Sequence, residues 1–271
     1  MDTSLKLNRP GGRIAYELHG DSGPLVVCIP GIGDLRSTFD GVATRLAAEG
    51  YRVARMDLRG HGDSDNTFAR YDDVAAGEDA LALVEHLGGG PALLVGNSMG
   101  AGAAAWAAAE RPDQVAGIAL LAPFVRDGDR GRLAVLAFRL MLTRPWGPRA
   151  WDWWFSRSHV TRPAGLDARL RAVHDALARP GRWQAFAATT HTNHAPVEAR
   201  LGEIKAPALV VMGEKDPDWP DPAEEAETIA GLIADTSVTL VPDVGHYPQV
   251  ERPDVVEPLL ADFVGQVFAR A

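Results

Sequence analysis

Continuous apolar runs alternate with helical segments along most of this 271-residue chain, and this alternation constrains the fold more than any other feature. Runs that are apolar at nearly every position are typical of parallel strands covered on both faces. The sequence therefore predicts an α/β fold, a mostly parallel twisted sheet with helices on both faces. The predicted strands are 24–30, 52–58, 92–95, 115–121, 208–212 and 237–241, and the predicted helices are 38–49, 71–87, 101–110, 222–234 and 253–270.

Two regions differ from this alternation. Segments 5–7 and 13–18 alternate in polarity on either side of Pro10-Gly11-Gly12, which predicts an N-terminal β-hairpin. Residues 124–196 are helical in pattern and contain five of the seven Trp. An insertion at this point lies at the carboxyl edge of a parallel sheet, where ligands bind. We therefore expect a core domain of residues 1–123 and 197–271, with a helical cap inserted after core strand 6; residues 124–196 are called the cap segment below.

Charge and composition limit the function classes. The net charge of −9 argues against a nucleic-acid partner. Residues 124–195 hold twelve Arg, no Lys and five Asp, which is +7 and leaves −16 for the rest of the chain. We expect no signal peptide, because residues 1–6 contain no apolar run. We expect no membrane span, because the longest central apolar stretch is short and is interrupted by Arg139. The single cysteine, Cys28, is expected to be a core residue of a cytoplasmic protein. No oligomeric state is predicted.

The stretch Gly96-Asn97-Ser98-Met99-Gly100 places a serine between a predicted strand and an Ala-rich helix. A serine at such a sharp turn sits in a strained backbone, and its neighbours need to be small. The turn lifts the hydroxyl clear of the sheet, at a helix N-terminus whose N–H groups can hold an oxyanion.

Two further polar loops follow predicted strands. Asp216 comes after the strand at 208–212, and His246 comes after the strand at 237–241. The order Ser, Asp, His accompanies a serine at this kind of turn. Imidazole takes the serine proton, and a carboxylate holds the imidazole in the required tautomer. Asp218 and Asp127 are alternatives for the acid; if Asp216 is the acid, we expect Asp218 and Trp219 to point toward the pocket rim or solvent.

Two longer motifs support a family resemblance. Residues 57–64 read Asp-Leu-Arg-Gly-His-Gly-Asp-Ser, and residues 245–253 read Gly-His-Tyr-Pro-Gln-Val-Glu-Arg-Pro. With these motifs the chain resembles the α/β-hydrolase fold superfamily over its whole length, as a serine-nucleophile, esterase-like member with a helical cap. The resemblance implies Ser98 as nucleophile, His246 as base and Asp216 as the supporting acid. It also implies that the backbone N–H groups of Ile32 and Met99 form the oxyanion hole.

The resemblance also assigns some residues a structural part. Asp57 and His61 belong to a loop that is structural in most relatives. Pro30-Gly31 stands where most relatives have His-Gly, which leaves an amide donor at Ile32 possible.

These features predict a serine hydrolase that cleaves a carboxylic ester, without cofactor or metal. The expected partner is a small to medium, bulky or aromatic molecule, or one with an anionic group. The alternatives are a carbon–carbon hydrolase of the meta-cleavage-product type, a lactonase or amidase, and a non-catalytic ligand receptor on the same fold. Five residues are candidates for substrate contact: Phe39, Trp146, Trp154, Trp183 and Tyr247.

The cap histidines offer a weaker signal. We expect them to be solvated or packed, although one of them could touch the substrate. The pair His191 and His194, three residues apart, is weak support for a metal site. The four cap histidines are His159, His174, His191 and His194.

Overall fold

A computed structural model describes the backbone of residues 4–88, 90–128 and 132–270, and the side chains of all of these except 132–135 and 139. Its centre is one eight-stranded sheet in the order β1-β2-β4-β3-β5-β6-β7-β8. The strands are β1 (Leu5–Arg9), β2 (Gly12–His19), β3 (Leu25–Ile29), β4 (Arg52–Met56), β5 (Ala92–Asn97), β6 (Val115–Leu121), β7 (Ala208–Gly213) and β8 (Thr236–Val241).

Strand direction follows the prediction. β1 and β2 form the N-terminal antiparallel hairpin, and β2 also pairs antiparallel with β4. All other neighbouring strands are parallel. The parallel strands therefore bring their carboxyl ends to one edge of the sheet, which the cap segment overlies.

Helices occupy the connections. The α-helices are α1 (Asp40–Ala48), α2 (Asp73–His86), α3 (Met99–Glu110), α4 (Arg132–Met141), α5 (Gly147–Arg157), α6 (Leu166–Ala178), α7 (Arg182–Thr189), α8 (Ala195–Glu198), α9 (Pro222–Leu232), α10 (Pro248–Glu251) and α11 (Pro253–Arg270). Among the residues described, no helix is both long and apolar enough to cross a membrane.

The sheet is buried on both faces, which explains its unbroken apolar runs. Along β5, Ala92 and Leu94 belong to the core that packs under α2, α3 and α9, whereas Leu93 and Val95 belong to the core under α1 and α11. Cys28 is buried in the second of these cores, and burial raises the pKa of its thiol to about 12. The α/β fold predicted from the sequence is thus confirmed.

The cap segment has an apolar cluster of its own. Trp151, Trp183 and Phe186 are its buried aromatic centre, and Tyr247 of the core packs into it. A buried ion pair also joins the cap segment to the core, since Arg169 of α6 donates to Asp34 over 2.6 Å. Arg169 lies over the ring of Tyr247 as well, 5.1 Å from its centroid.

Candidate active site

Ser98 lies at the sharp turn between β5 and α3. Its backbone has φ 57° and ψ −124°, outside the regions that a non-glycine residue ordinarily adopts. Strain of this kind costs on the order of 1–3 kcal/mol and persists where the surrounding fold imposes it. The two flanking glycines are the reason that the fold can impose it here. A Cβ on Gly96 would collide with the carbonyl of Gly100, and a Cβ on Gly100 would collide with the carbonyl of Ile29.

The backbone around Ser98 is also fixed by hydrogen bonds. The N–H of Ser98 donates to the carbonyl of Leu121 over 2.9 Å, and the carbonyl of Ser98 accepts from the N–H of Phe124 over 3.2 Å. The amide of Asn97 donates to the carbonyls of Leu121 and His246, over 3.1 and 3.2 Å. Asn97 thereby fastens the end of the serine strand to the histidine loop. The motif contains Asn97, but sequence reasoning gave it no part.

His246 is paired with Asp216. Its Nδ1 lies 2.7 Å from Oδ2 of Asp216, whose side chain is fully buried. The N–H of Asp218 donates to the other Asp216 oxygen over 3.0 Å, which holds the carboxylate in orientation. An imidazole whose Nδ1–H bonds a carboxylate carries its acceptor lone pair on Nε2, the form that a general base requires.

Trp219 is placed differently from the expectation, whereas Asp218 lines the cavity above Ser98. Oδ2 of Asp218 lies 3.3 Å from Nδ1 of His246, so this carboxylate also approaches the imidazole. Trp219 is buried and packs on Phe124, with ring centroids 4.9 Å apart. The prediction that Trp219 points to the rim or solvent is therefore wrong, because Phe124 provides an aromatic surface beneath it. Asp216 remains the better placed acid, since it is closer to Nδ1 and fully buried.

The loop that bears His246 is held from two sides. The N–H of His246 donates to the carbonyl of Ser158 in the cap segment, over 2.9 Å. The carboxylate of Glu251 accepts from the N–H of Gly245 over 3.0 Å and from the N–H of Thr161 over 2.7 Å. Burial raises the pKa of Glu251, while these hydrogen bonds oppose the rise. Glu251 therefore joins the histidine loop to the cap segment.

Ile32 and Met99, whose backbone N–H groups are the expected oxyanion donors, line the same cavity as Ser98. Met99 is the first residue of α3, so its N–H has no acceptor within the helix. Ile32 lies in the loop after β3 and lines the same cavity as Ser98 and Met99. That loop approaches the serine closely, since a Cβ on Gly31 would stand 2.8 Å from Cβ of Ser98. The arrangement fits the oxyanion hole implied by the family resemblance.

A cavity of about 650 Å³ opens above Ser98 and His246. Of the five aromatic candidates, Trp154 and Tyr247 line it. The other three lie elsewhere. Phe39 is fully buried in the core under α1 and α11, Trp183 is in the cap cluster, and Trp146 is 56 % exposed. Periodicity does not show which side of the cap each tryptophan faces, and none of these three candidates lines this cavity. Aromatic residues that sequence reasoning missed also line the cavity: Phe124, Phe138 and Trp151.

Four arginines of the cap segment form ion pairs with carboxylates among the described residues: Arg126, Arg162, Arg169 and Arg179. Arg126 pairs with Glu225 over 2.6 Å, and Arg179 pairs with Asp63 over 3.1 Å. Arg182 donates to the carbonyl of Ser64. Among the side chains that the structure describes, no Arg or Lys lines the 650 Å³ cavity. Arg126, Arg169 and Arg179 therefore bind the cap segment to the acidic core. Their positive charges do not line the cavity above Ser98.

The other polar residues considered from the sequence, Asp57, His61 and Asp127, have partners or positions of their own. Asp57 is buried and accepts from the N–H groups of Arg36 and Asp63, over 2.8 and 2.9 Å. His61 is buried, which lowers its pKa to about 4. Neither is among the cavity-lining residues. Asp127 does line the cavity, where it accepts from the N–H of His194 over 3.4 Å.

One group among the described residues could hold a metal ion by ligand type, namely Asp216, Asp218 and His246, whose ligand atoms lie within 4.8 Å of one another. Nδ1 of His246 is already bonded to Asp216, so a metal ion would have to displace that hydrogen bond. The geometry favours a histidine–carboxylate pair over a metal centre. The absence of a metal or cofactor stays a prediction.

Comparison with known proteins decides the family. The model of the alpha/beta hydrolase family matches residues 26–259. The chain belongs to the alpha/beta hydrolase family. It is accordingly a hydrolase, as the sequence predicted.

Individual relatives of this alpha/beta hydrolase are similar to it over most of its length. The chain is 29 % identical over 261 residues to the dihydrolipoyllysine-residue acetyltransferase component of the acetoin cleaving system of Pseudomonas putida, and the match covers 94 % of this chain and 67 % of that protein. It is 29 % identical over 250 residues to pimeloyl-(acyl-carrier protein) methyl ester esterase of Neisseria meningitidis serogroup B, covering 88 % and 92 %. A thermophilic esterase from Thermogutta terrifontis superposes with a TM-score of 0.82 at 25 % identity, covering 97 % and 98 %.

Proposed function

We propose that this hydrolase cleaves a carboxylic ester through an acyl-enzyme on Ser98. His246 is the general base, and Asp216 orients it. The observation that supports this best is the combination of a strained Ser98 with a His246–Asp216 pair at one cavity. Esterases among the relatives support the same reaction.

The mechanism has two halves. Oγ of Ser98 attacks the ester carbonyl while Nε2 of His246 takes the hydroxyl proton, and the new oxyanion accepts hydrogen bonds from the N–H groups of Ile32 and Met99. The intermediate collapses, and the imidazolium gives its proton to the departing alcohol. Water then attacks the acyl-enzyme, again losing its proton to His246, and releases the carboxylic acid and Ser98.

The cavity supports a substrate of small to medium size that is bulky or aromatic. Its volume of about 650 Å³ is within the usual range for small-molecule sites. Phe124, Phe138, Trp151, Trp154 and Tyr247 provide aromatic walls. The described lining has carboxylates at Asp127 and Asp218 and no arginine, so we favour an uncharged ester over one with an anionic group.

Covalent labelling tests the nucleophile. A fluorophosphonate should add one label per chain, at Ser98. Ser98→Ala should abolish labelling and lower kcat by roughly three to six orders of magnitude, because the members of such a triad act as a unit. Ser156→Ala is a matched control, since Ser156 lies on α5 outside the cavity lining and should label normally. Labelling at another residue, or near-normal turnover by Ser98→Ala, contradicts the serine mechanism.

A substrate panel separates the ester hydrolase from its alternatives. We expect p-nitrophenyl esters of bulky aromatic acids to give higher kcat/KM than acetate or butyrate esters. Faster turnover of vinylogous 1,5-diketones would favour carbon–carbon hydrolysis, and faster turnover of lactones or amides would favour those reactions. Labelling of Ser98 without turnover of any member of the panel would favour a ligand receptor on this fold.

A further inference from the structure

A second histidine–carboxylate pair, which the mechanism does not use, reaches the cavity through its histidine. His194 lies at the end of the cap segment, and its Nδ1 is 2.5 Å from Oδ2 of Asp73, the first residue of α2. The two side chains are 9 % and 1 % exposed. The pair joins residues 121 positions apart in the chain.

Burial of the Asp73 carboxylate costs free energy, because it removes a charged group from water. Its other oxygen, Oδ1, has no hydrogen-bond partner among the described residues. Burial raises its pKa, and the neighbouring His194 opposes that rise. Removing a carboxylate from water with so few partners costs more than an apolar residue would. The fold nevertheless makes room for it, because a Cβ on Gly102 of α3 would stand only 3.2 Å from Cγ of Asp73.

His194 faces the proposed substrate. It lines the cavity that contains Ser98, on a polar wall with Thr190, Thr192 and Asn193. The ring of Phe124 packs against both imidazoles, with its centroid 5.8 Å from that of His194 and 5.7 Å from that of His246. Because Nδ1 is bonded to Asp73, Nε2 is the nitrogen left for a ligand, and no residue in the described part of the chain bonds it.

We propose that His194, held in position by Asp73, binds a hydroxyl group of the substrate through Nε2. A hydroxyl both donates and accepts a hydrogen bond, so it can pair with the neutral or the charged imidazole. The preferred ester therefore has an aromatic or bulky body that packs near Phe124 and a hydroxyl beyond it, away from the scissile bond. This proposal rests on the ester hydrolase function above. His194 is a binding residue in it, and Asp73 is a positioning residue.

The test compares substrates that differ only by a hydroxyl. The substrates are the methyl esters of 3-phenylpropanoic acid and of its 3-hydroxyphenyl and 4-hydroxyphenyl analogues. We expect wild type to prefer at least one hydroxylated ester by about tenfold or more in kcat/KM, the size of one buried hydrogen bond. His194→Phe should abolish that preference by raising KM for the hydroxylated ester, with kcat changed by about twofold at most, because the contact is made equally in ground and transition states.

Three further variants test whether the hydroxyl preference depends on the His194–Asp73 pair. Asp73→Leu should lose the same preference, since the imidazole is no longer oriented, and His194→Gln should retain part of it. His174→Phe is the matched control, because His174 makes the same kind of pair with Asp152 over 2.8 Å but is half-exposed and outside this cavity lining. It should leave the preference intact. His174→Phe should also label at Ser98 with fluorophosphonate at the wild-type rate, and labelling at Ser98 in the other variants checks that they are folded.

The possible failures are distinct. If wild type neither labels at Ser98 nor hydrolyses esters, the proposed function itself is wrong. If wild type labels and hydrolyses these esters without a hydroxyl preference, or if His194→Phe keeps that preference, the assignment of His194 is overturned while the esterase proposal stands.

Discussion

Replacing Arg169 by methionine should destabilise the protein strongly. Arg169 donates to Asp34 over 2.6 Å and to the hydroxyl of Thr38 over 3.1 Å. The side chain of Asp34 is fully buried and that of Arg169 is 11 % exposed. Methionine preserves much of the packing on Phe155 and Tyr247 but leaves the carboxylate without its cation.

The expected loss of unfolding free energy depends on the hydrogen bonds that Asp34 keeps in Arg169→Met. Removing one partner of a buried ion pair costs about 3–5 kcal/mol. Asp34 keeps one hydrogen bond, from the N–H of Leu35 over 2.7 Å, which favours the lower end of that range. We therefore expect Arg169→Met to lower the free energy of unfolding by about 3 kcal/mol. Activity should fall as well, because Asp34 is two residues from the proposed oxyanion donor Ile32.

Urea unfolding of four proteins measures the effect: wild type, Arg169→Met, Asp34→Asn and the double variant. The double variant should be less destabilised than the sum of the single changes, since an uncharged amide in place of the Asp34 carboxylate does not need the cation. Arg162→Met serves as the control, because Arg162 pairs with Asp167 in a largely exposed pair and should change stability little. A loss below about 1 kcal/mol in Arg169→Met would refute the reasoning that this buried pair holds the cap segment to the core.

Two other predictions concern His246 and His159. Asp216→Asn should lower kcat by about four orders of magnitude, as a mis-set imidazole tautomer does, whereas Asp218→Asn should lower it far less; the reverse ranking in steady-state kinetics would assign the acid to Asp218. Burial and the nearby Arg169 lower the pKa of His159 to about 3 from an ordinary value of 6.5. As the pH falls below about 6.5 the unfolded chain binds a proton at this histidine and the folded chain does not, so stability is lost over that window. His159→Gln should reduce the loss between pH 6.5 and 4.5 by about 2 kcal/mol, measured as urea unfolding at both values, and an unchanged pH slope would count against a neutral buried His159.

Local signals in the sequence were sufficient for the fold and for the placement of Ser98. Strands such as β5 are buried on both faces, so their apolar runs are continuous and easy to recognise. The glycines around Ser98 report a backbone constraint that lies entirely within five residues. His246 and Asp216 were predicted from their positions in the loops that follow β8 and β7.

The cavity walls could not be predicted in the same way. Trp154 and Trp183 are both cap tryptophans, yet only the first lines the cavity, because lining depends on how α5 and α7 pack. The partner of His194 is 121 residues away, and no spacing in the chain indicates it. Such contacts are set by tertiary packing rather than by local pattern.

The hydrogen bond from His246 to Ser158 has a consequence for how such an enzyme can be re-engineered. The carbonyl that accepts from the proposed base comes from Ser158, directly after α5, so part of the cap segment supports the proposed catalytic residues. A cap transplanted from a relative would have to reproduce a carbonyl at this point, together with an N–H at Thr161 for Glu251. Libraries that vary Trp154 or residues 190–193 leave both contacts in place. Under the proposed mechanism, the residues that contact the substrate and those that support the base therefore lie close together within the cap segment.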